Sequence, residues 1–171
     1  MTFRTLIGSR GRPLTGPESR ALRVACCMER RHIVGLANAL RVRDVEVTNS
    51  QVVSWERSSR EGYPNPVRDA LWRVESAVEG LAKDLEEDAR RGRGEHAGRG
   101  LLRRPLGGRH ALRLLRLPDH DLRFDEAQLE ALDASGADFF TAMVDAAISR
   151  AAQWLAADDY EVTVVMDKEP V

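Results

Sequence analysis

The sequence predicts a mainly α protein with a small α/β C-terminal part: a bundle of short helices followed by a βααβ unit. Three observations predict it. From position 17 to 85 the apolar residues recur at spacings of three and four. Tyr160 to Met166 is the segment richest in β-branched residues. Between the two regimes lies a stretch crowded with arginine, glycine and proline, which reads as a linker or long loop. The expected organisation is a basic arm (1–15), a helical domain with a long fourth helix (16–89), an Arg/Gly-rich linker (90–109) and a small acidic domain (110–171).

The elements follow in order. Thr15 or Gly16 caps a first helix, Pro17 suits its first position, and Glu18 suits the positive end of its dipole. Ala21, Val24, Ala25 and Met28 form its expected apolar stripe. A second helix opens near His32, with Ile33, Leu36, Ala37 and Leu40 on one face. Arg41 to Val47 is too polar to continue it. Thr48 with Gln51 three residues later is a capping-box pattern that opens a third helix. Val52 and Trp55 face inward there, and Asn49, Ser50, Gln51 and Ser54 face out. Ser58 to Asn65 is a loop.

Asn65-Pro66 starts the fourth helix. Val67, Leu71, Val74, Val78, Leu81 and Leu85 form a heptad seam, which serves either a dimer coil or the domain's own core. Glu86, Glu87 and Asp88 oppose the negative end of the dipole, so this end should fray. Beyond the linker, Ala111 to Leu117 is a candidate strand and Phe124 to Ala134 a helix capped near Asp125. Asp138 to Ala157 is a stronger helix that buries Phe140, Met143, Val144, Ala147, Ile148, Ala151 and Leu155. Tyr160 to Met166 is the second strand, paired parallel with the first through a right-handed crossover.

The net charge of −1 conceals a strong segregation. Residues 1–75 carry net +5, residues 76–89 net −4, residues 90–116 net +8 and residues 117–171 net −10. The basic parts suit phosphate and the acidic end does not. Of the 26 basic residues 24 are arginine, which with abundant alanine reflects a GC-rich genome as much as a ligand. No apolar run is long enough to span a membrane. No secretory signal is expected from Met1 to Thr15, and the adjacent pair Cys26-Cys27 suits a reducing cytosol and core packing. A cytoplasmic, nucleoid-associated protein is expected.

Three short helices with a polar-faced third one suggest a helix-turn-helix. Such a unit needs a helix that offers hydrogen-bonding groups to base edges, an apolar underside and flanking arginines for phosphate. Thr48, Asn49, Ser50, Gln51 and Ser54 are the candidate base contacts, with Asn49 and Gln51 suited to adenine. Arg41, Arg43, Arg57 and Arg60 are the candidate phosphate contacts. Arg10 and Arg12 lie in Arg-Gly-Arg-Pro, which resembles the core of an AT-hook and suits a narrow minor groove. The linker arginines suit phosphate or the chain's own acidic part. His110, Asp119, His120 and Asp121 read as polar turns rather than a catalytic or metal site. Four histidines and two cysteines are too few and too scattered for a metal site, and no phosphate-cradling glycine loop is present, so no enzyme activity, cofactor or metal is expected.

The runs Leu36-Ala37-x-x-Leu40-x-Val42, Gln51-Val52-Val53-Ser54-Trp55-Glu56-Arg57 and Pro64-x-Pro66 together resemble the Xre/Cro type of helix-turn-helix regulator. The resemblance covers about 60 of the 171 residues. It implies that Thr48 to Arg57 is the recognition helix, that Val52 and Trp55 are core, and that Glu56 is a structural ion-pairing residue. Two departures stand out: an insertion, Arg43 to Val47, before the recognition helix, and Ser58 where that family has glycine. The C-terminal part loosely resembles the small α/β appendage of some short phage and actinobacterial regulators. The expected function is a sequence-specific double-stranded DNA-binding regulator, repressor-like and of phage or mobile-element character. Self-association would run through the fourth helix or the C-terminal part. The alternatives are a protein-interaction module, and a DNA-packaging or recombination accessory factor.

Overall fold

The structure is a computed structural model that describes residues 12–91, 99–104, 124–134 and 139–166. Its elements are α1 (Gly16–Ala25), α2 (Arg30–Ala39), α3 (Asn49–Arg57), α4 (Asn65–Arg91), β1 (Arg99–Arg104), α5 (Glu126–Ala134), α6 (Phe139–Ala157) and β2 (Glu161–Met166). The described residues are mostly helical, as the sequence predicts. Two compact units divide the chain: Met1–Glu75 with Leu122–Phe139, and Ser76–Asp121 with Phe140–Val171. The long helix α4 therefore contributes to both, and residues 122–139 leave the expected C-terminal domain. They join the first unit because they carry apolar groups that it buries. Leu132 of α5 is buried, α5 packs on α2, and Phe124 meets Phe139 edge-on at 6.4 Å. The Arg73 guanidinium covers the other ring contact, 5.7 Å from the Phe124 centroid.

In the first unit, α1 starts at a capping box: the Glu18 carboxylate accepts the Thr15 N–H at 2.9 Å. Of the expected stripe only Met28, just past the helix, is buried, and Ala21 and Ala25 are half-buried. Ser19, Leu22, Arg23 and Cys26 face inward, while Val24 is 56% exposed. The helix turns a mixed face to the core because the core here includes an ion pair, described below. Cys26 is buried but Cys27 is exposed, so core packing holds for only one of the two. Cys27 and Arg41 each have positive φ and end their helices in the same way. Met28 N–H bonds Arg23 O at 3.1 Å and Cys27 N–H bonds Val24 O at 2.9 Å. Val42 N–H bonds Ala37 O and Arg41 N–H bonds Asn38 O in the same pattern, a Schellman end without glycine. Ile33, Leu36 and Ala37 of the α2 stripe are buried, and Leu40 at its end is half-buried.

Along α4, Val67, Leu71, Val74, Val78 and Leu81 are buried within the chain and Leu85 is half-buried. That corrects the dimer-coil reading of the seam: these side chains are consumed by the chain's own core. The acidic end does not fray either. The helix runs on to Arg91 because Arg90 pairs with Glu86 at 2.7 Å and Arg91 with Glu87 at 2.7 Å, each four residues back. In the second unit Arg90 also pairs with Asp158 and stacks 5.1 Å from the Tyr160 ring centroid. All seven residues expected on the inner side of α6, from Phe140 to Leu155, are buried.

Among the described residues the strand that pairs with β2 lies before the expected one. Ala111 to Leu117 lies outside the described residues, and β1 occupies Arg99–Arg104, within the stretch read as linker. It pairs parallel with β2, from Arg99 opposite Glu161 to Arg104 opposite Met166. Only Leu101-Leu102 interrupts the arginine and glycine there, too short an apolar run to register as a strand. Pairing with β2 decides it, since strand preference is set by neighbours more than by intrinsic tendency. Among the described residues no helix is long and apolar enough to cross a membrane.

Candidate nucleic-acid interface

The site is built on α3 and the loops on either side of it. Thr48 opens the helix, and the Gln51 carbonyl accepts its N–H at 2.8 Å. The preceding loop is held by a two-point clamp. Val47 N–H donates to Asn38 Oδ1 at 2.7 Å, and Asn38 Nδ2 donates to Val47 O at 3.2 Å. The buried Val47 side chain plugs the same junction. The inserted residues Arg43 to Glu46 are exposed between these anchors. At the other end, Gly16 at the start of α1 lies directly on the backbone of Trp55 and Glu56. Its N–H donates to Ser58 O at 2.8 Å.

A buried carboxylate locks the underside of α3. Glu56 Oε1 accepts from Arg23 Nε at 2.7 Å and from the Tyr63 hydroxyl at 2.7 Å, and Oε2 accepts from Arg30 Nε at 2.8 Å. Arg23 also donates to Met28 O at 2.6 Å. One side chain therefore joins α1, the start of α2, α3 and the loop before α4. Burial pushes the Glu56 carboxyl up, but the bonds from Arg23, Tyr63 and Arg30 together outweigh it and hold the group below the usual range. Burial and the bond to Glu56 push the Tyr63 phenol well above its ordinary value. The Arg23 and Tyr63 contributions were invisible in the sequence, because residues 33 and 7 positions away follow no local periodicity. For Glu56 the ion-pairing role implied by the resemblance was the sole signal.

These pairs give the first unit an acid limit. Bonds from Arg12 and the Thr15 N–H hold Glu18 down to about 2, against an ordinary 4.5. Both Glu18 and Glu56 are depressed in the fold, so their contribution is complete above the ordinary value and is lost as pH falls below it. The melting temperature should fall progressively between about pH 4.5 and 2, with a shallower slope in Glu18→Gln. An unchanged slope in that variant would mean that Glu18 titrates as it does in the unfolded chain.

The outer face of α3 carries Asn49, Ser50 and Ser54, all exposed, with Thr48 exposed at its start. Ser50, Ser54 and Arg57 lie four and three residues apart, on one stripe. Gln51 departs from the expectation. At two residues' separation it stands about 160° around the axis from Asn49, so the two do not share a face. Gln51 is also half-buried, and its carbonyl is committed to the cap. Reading adenine with both ends of that amide would cost the helix start. Trp55 is half-buried rather than core. It meets Tyr63 edge-on at 6.2 Å, and the Arg43 guanidinium lies 5.8 Å from its centroid. Arg41, Arg43, Arg57 and Arg60 are all exposed. Exposed acids Asp44, Glu46 and Glu61 stand among them, leaving this surface only weakly basic.

The minor-groove arm is corrected in part. Arg10 lies outside the described residues. Arg12 is folded back on Glu18 in a two-toothed ion pair and also donates to Pro13 O at 3.3 Å. Leu14 is buried and its carbonyl accepts the Gly62 N–H at 2.7 Å, so residues 12–15 are part of the fold rather than an arm. The carboxylate of the third residue of the first helix outcompetes solvent for Arg12. His110, Asp119, His120 and Asp121 lie outside the described residues, as do linker residues 92–98 and 105–109. Among the described residues no cluster of three His, Cys, Asp or Glu side chains is placed to hold a metal. Comparisons with protein-family models, curated proteins and solved structures find no match to this chain.

Proposed function

We propose that this chain binds double-stranded DNA in a sequence-dependent way through α3, as a repressor-like regulator of the helix-turn-helix kind. The observation that carries the reading is the two-sided character of α3. Its underside is fixed by Val52 and the buried Glu56 bonds, and its outer face holds Asn49, Ser50 and Ser54 open to solvent. A rigid helix that presents amide and hydroxyl groups is what major-groove readout requires. Asn49 is the reader of choice, since it keeps both its donor and its acceptor. Arg41, Arg43, Arg57 and Arg60 meet phosphates on either side. Occupancy of the site excludes other proteins from the same DNA.

Four phosphate contacts imply that log K falls with log salt at a slope of about −3.6, and each Arg→Ala change removes roughly one from its magnitude. Site selection from random duplexes followed by salt titration checks this. Asn49→Ala should weaken the selected site by about 1–3 kcal/mol and relax preference at one base pair. A selected site bound equally well by Asn49→Ala and Ser50→Ala proteins would remove α3 as the reader. A second reading, a protein-interaction module, is favoured by one observation: Asp44, Glu46 and Glu61 interrupt the arginines. The absence of a salt-sensitive shift of any duplex would remove the first reading and favour this one.

A further inference from the structure

The two edges of the small sheet are unlike. Among the described residues the sheet has two strands, a size that is marginal unless something else covers it. Proteins guard open strand edges with charge, and β1 has Arg99, Arg103 and Arg104 in six residues. In β2 the one charged residue is Glu161, at its very start. The strand is nonetheless open: Glu161, Thr163 and Val164 are exposed, and Val164 at 48% is among the few large apolar side chains left in solvent.

We propose that the unguarded edge of β2 pairs with β2 of a second copy. The strands run antiparallel about a two-fold axis at Thr163, and the sheet becomes β1-β2-β2-β1. An isologous pairing of this kind closes on itself, whereas β2 against β1 of another copy would propagate without end. A two-fold axis normal to the sheet permits only registers that place one residue opposite its own copy, because opposed residues share a face. Centring on Thr163 sets threonine against threonine and Val162 against Val164 of the second copy, both favourable cross-strand pairs. That register covers Val164 and leaves the arginine strands at the outside, where charge deters further addition.

Sedimentation equilibrium on the full chain tests the pairing, with cross-linking to fix the register. The expected result is a dimer that Val164→Lys weakens at least tenfold with an unchanged circular dichroism spectrum. In a Cys27→Ser background, which removes the exposed native thiol, Thr163→Cys should oxidise to a covalent dimer. Opposed Cα atoms in an antiparallel pair are about 4.5–5.5 Å apart, within disulfide range. Val164→Cys, facing position 162, should not. A monomer at all concentrations, with the edge taken by the chain's own segments, would overturn the proposal. So would concentration-dependent polymers, a dimer indifferent to Val164→Lys, or cross-linking at 164 in place of 163. None of these outcomes depends on DNA binding.

Discussion

Glu56→Ala should cost the first unit about 3–5 kcal/mol, because it strands the buried Arg23 guanidinium without a counter-charge, its bond to Met28 O being to a neutral carbonyl. The Glu56 side chain is 2% exposed and that of Arg23 is 9% exposed. Against a usual total of roughly 5–15 kcal/mol, that loss moves the unit toward the unfolded state at room temperature. Arg30 is less affected, since its side chain is 39% exposed and water can take over its bond. Three companion variants separate the causes. Tyr63→Phe removes one neutral donor to a carboxylate that keeps two others, and should cost on the order of 1–2 kcal/mol. Glu56→Gln keeps the shape and one acceptor but loses the charge, and should fall between. Arg23→Met combined with Glu56→Met removes both charges, and should recover much of the loss, because a buried pair is often replaceable by apolar groups of similar volume. Urea titration of the four proteins, followed by tryptophan fluorescence, gives the order. Glu56→Ala no worse than Tyr63→Phe would show that Arg23 finds another partner or water.

Short-range grammar carried much of the fold. The capping box at Thr48, the apolar stripe of α2 and the inner side of α6 are consequences of spacing within one or two turns. The exposed hydroxyl and amide face of α3 was legible for the same reason. What spacing does not encode is which distant group completes a local feature. The stripe on α1 went wrong because Arg23, a cation, belongs inside once Glu56 is there to receive it. The end of α4 holds because the arginines four residues on pair with Glu86 and Glu87, which offsets the unfavourable dipole interaction of the acids, about 0.3–1 kcal/mol each. Strand β1 was hidden because its partner supplies the reason for its existence. In the candidate site, Gln51 was misplaced by a conflict within the sequence itself: one residue cannot serve both as cap and as reader. Arg43 was expected at phosphate, and its position over Trp55 adds a contact that no pattern announced.

Gly16→Ala should destabilise the first unit and dislodge α3, although alanine is the better helix former. Intrinsic preference favours alanine by about 0.8–1.0 kcal/mol in a helix interior, and less at a first position. The opposing contact is larger. A Cβ at position 16 would lie 2.5 Å from Trp55 O and 2.6 Å from the Glu56 carbonyl carbon and oxygen. Those atoms are backbone in the last turn of α3, and cannot swing aside as a side chain could. The Gly16 N–H bond to Ser58 O holds the two chains at that separation. Relief therefore requires α1 and α3 to part, which strains the Arg23 to Glu56 bond between the same two helices. Overpacking of this kind costs typically 1–3 kcal/mol, so the net change is a loss despite the gain in propensity. The test pairs a thermal melt with DNA titration. The expected result is a lower midpoint together with weaker binding to the selected site, while Pro17→Ala, one position along on the exposed side of α1, leaves binding unchanged. A midpoint that rises in Gly16→Ala would mean that α1 and α3 slide apart without cost, and that the close approach of their backbones does not fix the orientation of α3.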